Sequence, residues 1–150
     1  MDKSLGMQNP MVDNVVLLVS RLLLAGLFVH EGVFLATNFA AASAAMAKVG
    51  VPALALIGTI ALQLVAGLAI VVGWHARFGA AALGVFCLAT AILLHTNFAN
   101  RNELLHFEKD LAIAGGMFVL MLRGAGSYSV GAFASRRISY DDGRLRIVRV

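Results

Sequence analysis

The chain alternates long apolar runs with short polar breaks. Between Lys48 and Arg77 lie 28 positions without Asp, Glu, Lys or Arg, and between Arg77 and Arg101 lie 23 more. About 20 apolar residues cross a hydrocarbon core as a helix. No water reaches the backbone there, so a crossing segment must close its hydrogen bonds internally. The pattern predicts one crossing helix over 52–72 and another over 78–95, joined by the turn Gly73-Trp74-His75-Ala76-Arg77. Pro52 suits a first helical turn, where its missing N–H costs nothing, and Trp74 suits an interfacial anchor. An earlier crossing helix is predicted over 14–35, although Arg21, His30 and Glu31 interrupt it. The fourth, over 103–122, is the least apolar. Only 12 uncharged residues separate Asp110 from Arg123, so its outer turns carry polar groups. The predicted fold is all-α: an integral membrane four-helix bundle over 14–126, preceded by an N-terminal segment 1–13 and followed by a basic tail 127–150.

Composition excludes the main alternatives. Of 150 residues, 60% are hydrophobic and 13% are charged, with mean hydropathy +0.85. A soluble domain carries about 25% charged residues to cover its surface. Disorder needs low hydrophobicity and high charge, the opposite of what is found. The net charge is +4, and its placement matters more than its size. In the four-span arrangement Lys3, Arg21, Arg77, Arg123, Arg136, Arg137, Arg144, Arg146 and Arg149 fall on the N-terminal side, against Lys48, Arg101 and Lys109 on the other. That bias puts both termini in the cytoplasm and supports a fourth crossing, without which the arginine-rich tail would lie outside. The basic residues trail apolar segments rather than interleaving with aromatics, which argues against nucleic acid. The lipid bilayer is the expected partner, and oligomeric state is not legible.

Smaller features add less. Ala40 to Ala47 offers small-residue cleavage sites, but a lone Lys3 and a long, charge-interrupted apolar run do not make a signal peptide. The single cysteine, Cys87, lies in an apolar run and reads as a small buried hydrophobe. Ala80 with Gly84 and Ala112 with Gly116 have the spacing that lets helix backbones approach closely in lipid. Asp142-Gly143 suggests a turn between two short alternating runs. An isolated hairpin is marginal in water, so a loose tail drawn to anionic headgroups is expected.

Candidate chemistry gathers on one side. With the first helix running outward, His30 and Glu31 lie in its outer part; His95 ends the third helix, and Glu103, His106, Glu108, Lys109 and Asp110 open the fourth. Three of four histidines and four of eight acidic residues thus share one membrane face. Intramembrane ionisable groups are costly and mark function. Glu103, His106 and Asp110, at i, i+3 and i+7, share one helical face. Glu103-Leu104-Leu105-His106 has the Glu-x-x-His spacing of carboxylate-bridged di-iron bundles. That architecture needs two such pairs and two more glutamates, and only one pair exists here. A single metal would have to be held by His30, His95, His106 and a carboxylate. The reading taken is that no metal is bound and that His30, Glu31, His95, Glu103, His106 and Asp110 form a polar pocket. Such groups can bond the carbonyls of a quinone headgroup and relay protons. The competing structural reading is that they cap helices and meet headgroups. Arg21 is expected to snorkel to the cytoplasmic headgroups, or else to fix the first two helices together. Gln63 is expected to bond across helices. No phosphate-binding glycine loop, nucleophile elbow or CxxC is present, so nucleotide and thiol-redox classes find no support.

The chain resembles the DoxX family. The resemblance runs through Arg21-Leu22-Leu23-Leu24, Asn38-Phe39-Ala40, Val49-Gly50-Val51-Pro52, Gln63-Leu64-Val65-Ala66-Gly67-Leu68-Ala69 and Gly73-Trp74. It is strongest at Lys109-Asp110-Leu111-Ala112-Ile113-Ala114-Gly115-Gly116, followed by Gly124-Ala125-Gly126-Ser127-Tyr128-Ser129, and covers about residues 15 to 130. It implies a four-helix protein of the bacterial inner membrane, of a kind linked to oxidoreductase complexes. Relatives called DoxD belong to thiosulfate:quinone oxidoreductase, which points to quinone as the cofactor and to other redox subunits as partners. The chain departs from the family pattern at Gly32, which is followed by Val33 instead of lysine, and at Gln63, where many members carry glutamate. No catalytic residue is therefore carried over. The expectation is a quinone-interacting or redox-complex subunit. A non-catalytic assembly or stress-response subunit is the alternative, and a small transporter or channel the least supported.

Overall fold

The computed structural model describes residues 9–134 and the backbone of 136–141 and 144–149. Residues 1–8, with Lys3, as well as Ser135, Val150 and Asp142-Gly143, where a turn was expected, lie outside the described residues. Helix α1 spans Pro10–Thr37. It starts earlier than the apolar pattern suggests because Asn9 caps it, its side chain accepting from Met11 N at 3.1 Å, with Pro10 in the first turn. A short helix α2, Phe39–Lys48, follows in a stretch to which the apolar pattern assigned no element. Its Ala-rich sequence is a strong helix former.

Helix α3 is Ala53–Val72, with Pro52 as its N-cap rather than in its first turn. It ends at Gly73, whose φ of 76° terminates it in the left-handed region, where glycine carries no Cβ penalty. Helix α4 covers Ala76–Leu94, α5 Arg101–Arg123 and α6 Val130–Ala134. Strands β1, Arg136–Asp141, and β2, Arg144–Arg149, then pair antiparallel, with Ile138 opposite Ile147. The two alternating runs of the tail thus pair as strands, where a loose segment was expected.

Helices α1, α3 and α4 are long and apolar enough to cross a membrane. Helix α5 is 23 residues long, but Arg101, Glu103, Glu108, Lys109 and Asp110 fill its first half. The large apolar side chains on the outside explain the composition. Leu23, Val65, Phe78, Leu93 and Leu122 are all 72–75% or 71% exposed, a coat that only lipid would solvate.

The core is thin and built on small residues. Helix α1 packs on α3, α3 on α4, and α4 most extensively on α5. Ala25, Phe28, Ala66, Ile70, Ala80, Leu83, Cys87 and Met117 fill the seams. A Cβ on Gly79 would stand 3.0 Å from the Ala66 carbonyl oxygen, and one on Gly84 would stand 2.9 Å from Phe118 Cε1. Without a hydrophobic drive between helices in lipid, this close approach supplies the packing energy. Of the two small-residue pairs, Ala80 and Gly84 are both buried; Ala112 is exposed, and Gly116 alone meets Leu24 of α1.

Candidate functional site

The end of α4 and the start of α5 bring five polar side chains together: Thr90, His95, Glu103, His106 and Asp110. Asn100 caps α5, its Oδ1 accepting from Asn102 N at 2.9 Å, which sets Glu103 in the first turn. His95 follows the last turn of α4, and its Nδ1 lies 2.8 Å from Glu103 Oε2. The two side chains are 23% and 32% exposed, so the pair is accessible rather than sealed. The His106 ring stacks on His95 with centroids 5.0 Å apart and planes 20° apart. Phe98 and Phe107 pack edge to face at 5.1 Å beside them and close the loop. One turn deeper, Thr90 Oγ1 donates to Asp110 Oδ2 at 2.8 Å. Glu103, His106 and Asp110 therefore do share one face of α5, and it is turned toward α4.

This arrangement can hold and pass protons. A protonated His95 makes a charge-assisted bond to Glu103, and a neutral ring donates or accepts by tautomer. Thr90 has one hydroxyl proton and three acceptors within reach: Asp110 Oδ2, the Cys87 carbonyl at 3.0 Å and the Phe86 carbonyl at 3.2 Å. A protonated Asp110 would donate to Thr90, whose proton would turn to the Cys87 carbonyl.

The other predicted site residues lie apart. His30 and Glu31 are exposed on α1, and no hydrogen bond or ring contact joins them to the α4–α5 group. Among the described residues, no group of three or more His, Cys, Asp or Glu is placed to hold a metal ion. Gln63 is buried in α3 opposite Gly32 of α1, and its Oε1 has no hydrogen-bond partner.

Arg21 corrects the sequence reading. It is 3% exposed and does not snorkel. Its Nη1 donates to the Ala125 carbonyl at 2.8 Å and its Nη2 to the Tyr128 carbonyl at 2.9 Å. The tie thus runs from α1 to the segment after α5, not to α3. Asn14 adds a second tie, its Oδ1 accepting from Ser127 N at 3.1 Å. Thr90 was not legible as a site residue in the sequence, where its signal was a lone hydroxyl in an apolar helix. Nor was a cleft of about 650 Å³ at the opposite end of the bundle, lined by Arg77, Arg123 and residues between 124 and 132. The signal there was Gly124-Ala125-Gly126-Ser127 directly after an arginine.

Comparison with known proteins gives two likenesses. The DoxX family model matches residues 16–96. Inner membrane protein YqjF of Escherichia coli (strain K12) is 36% identical over 126 residues, which is 84% of this chain and 97% of that protein. No solved structure matches.

Proposed function

Because the chain belongs to the DoxX family of multi-pass membrane proteins, we propose that it serves in the inner membrane as a quinone-interacting or redox-complex subunit, with the polar end of α4 and α5 as its site. The observation that carries this reading is the His95–Glu103 contact of 2.8 Å with His106 stacked on the same imidazole. A quinone carbonyl needs a hydrogen-bond donor, and its reduction needs protons; paired imidazole and carboxylate groups supply both. The partly exposed position suits a headgroup arriving from the lipid. Thr90 and Asp110 extend the polar track one turn inward. The inner-membrane placement follows the likeness to the E. coli protein.

The proposal takes α5 as a fourth crossing and both termini as cytoplasmic. Its 23 residues are about 34 Å long, enough for a core of about 30 Å. The excess of arginine at the far end supports the same orientation.

A photoreactive ubiquinone analogue, added to purified protein in nanodiscs, tests the site. Labelling is expected within residues 90–110, saturable, competed by ubiquinone and lost in His95→Ala with His106→Ala. Unsaturable or scattered labelling would refute it. A second reading has its own support. The Thr90–Asp110 and His95–Glu103 bonds both tie α4 to α5, as expected of a non-catalytic assembly subunit. That reading predicts loss of bundle stability in the same variants without any quinone labelling in the wild type.

A further inference from the structure

We propose that the cleft at the Arg77–Arg123 end of the bundle binds the phosphate group of an anionic membrane lipid. The cleft, about 650 Å³, lies between the turn joining α3 to α4 and the segment after α5. Its polar lining comes from Asn14, His75, Arg77, Arg123, Ser127 and Ser129, and no carboxylate lines it. Asp13 shares a neighbouring groove with Arg123 but forms no ion pair with it. Among the described residues the ion pair found is His95 with Glu103, at the other end of the bundle, so neither arginine is neutralised by a described carboxylate.

The backbone around the cleft turns through the left-handed region repeatedly, at a cost only at His75. Five described residues have positive φ, and Gly73, His75, Gly124 and Gly126, four of them, line this cleft. His75, at φ 53°, has a Cβ and holds a conformation that side chains disfavour. Such residues cluster at ligand clamps. The walls interlock as well. Gly131 N donates to the Gly73 carbonyl at 3.3 Å, and a Cβ on Gly124 would stand 3.0 Å from Arg77 Nε, so that guanidinium lies across the glycine. Beneath, Arg21 occupies the Ala125 and Tyr128 carbonyls, acceptors that would otherwise repel an anion.

A lipid fits better than a soluble ion. The cleft lies where the apolar helices α3 and α4 meet, at the end of the bundle. Phe78, beside Arg77, is 75% exposed, and Trp74 in the same turn is 59% exposed. Aromatic residues at that level anchor at the membrane–water interface. A phosphate carrying acyl chains meets both the arginines and this apolar rim; basic pockets at the ends of crossing helices take such headgroups.

The test uses the full chain in nanodiscs of mixed phosphatidylglycerol and phosphatidylcholine, released and read by native mass spectrometry. Two arginines near an anionic headgroup give a preference of roughly 25-fold. One phosphatidylglycerol is expected to remain bound with that preference. Arg77→Gln with Arg123→Gln should reduce it to near parity while thermal unfolding in phosphatidylcholine stays at the wild-type value, since both side chains are exposed. Changing Arg136, Arg137, Arg144, Arg146 and Arg149 together to Gln should leave the preference in place. Equal retention of the two lipids, or a preference that follows the tail and ignores the cleft arginines, overturns the proposal. Binding of inorganic phosphate without lipid preference assigns the cleft to a soluble anion and also overturns it.

Discussion

Replacing Arg21 with alanine withdraws two donors from a buried contact between distant parts of the chain. The guanidinium bonds the Ala125 carbonyl at 2.8 Å and the Tyr128 carbonyl at 2.9 Å, across 104 and 107 residues of sequence. Hydrogen bonds from charged donors contribute about 1.5–3 kcal/mol each, giving about 3–6 kcal/mol for the pair. Two effects reduce the loss. Arg21 is 3% exposed with Nε unpartnered, so its removal relieves a desolvation cost. The bundle end can also admit water to the bare carbonyls. The expected net destabilisation is about 2–4 kcal/mol. Arg21→Lys keeps the charge but not the planar fork, and should recover about half. Unfolding of the detergent-solubilised protein in SDS gives the magnitude. Hydrogen exchange gives the mechanism, because protection should fall first at residues 124–131. Stability within about 0.5 kcal/mol of wild type, with unchanged exchange there, would refute the clamp.

Three further substitutions probe the helix seams. Gly84→Val places a Cβ 2.9 Å from Phe118 Cε1 and 3.3 Å from Met117 Cβ; SDS unfolding should register a loss of about 1–3 kcal/mol, and a neutral result would mean that α4 and α5 are not in tight contact. Gln63→Leu removes a buried oxygen without a partner, so the same assay should find the variant more stable by about 1 kcal/mol, and a clear loss would reveal a hidden partner for that oxygen. Thr90→Val strips Asp110 of its 2.8 Å donor and should cost about 1–3 kcal/mol, with Thr90→Ser restoring most of it; equal instability of both variants would point to packing instead of the hydroxyl.

What the sequence revealed depended on the range of the interaction. The middle helices were legible because charge-free runs of 28 and 23 residues leave a crossing segment as their only favourable state. The polar face of α5 was legible because its spacing is local. Helix α2 was hidden: its alanines signal a helix by propensity, yet the segment is too short to cross a membrane and the search for crossing runs passed over it. Arg21 was misread because periodicity says nothing of a partner more than 100 residues away. The outer group was half legible. Neighbouring helices α4 and α5 placed His95 by His106, but which face of α1 meets the bundle is set by packing on α3, and that packing buries Phe28 and Gly32 and leaves His30 and Glu31 outside.

The number of crossings underlies the placement of both the polar cluster and the arginine cleft. The most direct measurement is the side on which the chain ends, read from paired alkaline phosphatase and fluorescent-protein fusions after Val150. Four crossings predict a fluorescent, phosphatase-inactive C-terminus in the cytoplasm. A phosphatase-active C-terminus would leave α5 outside the bilayer and contradict the account.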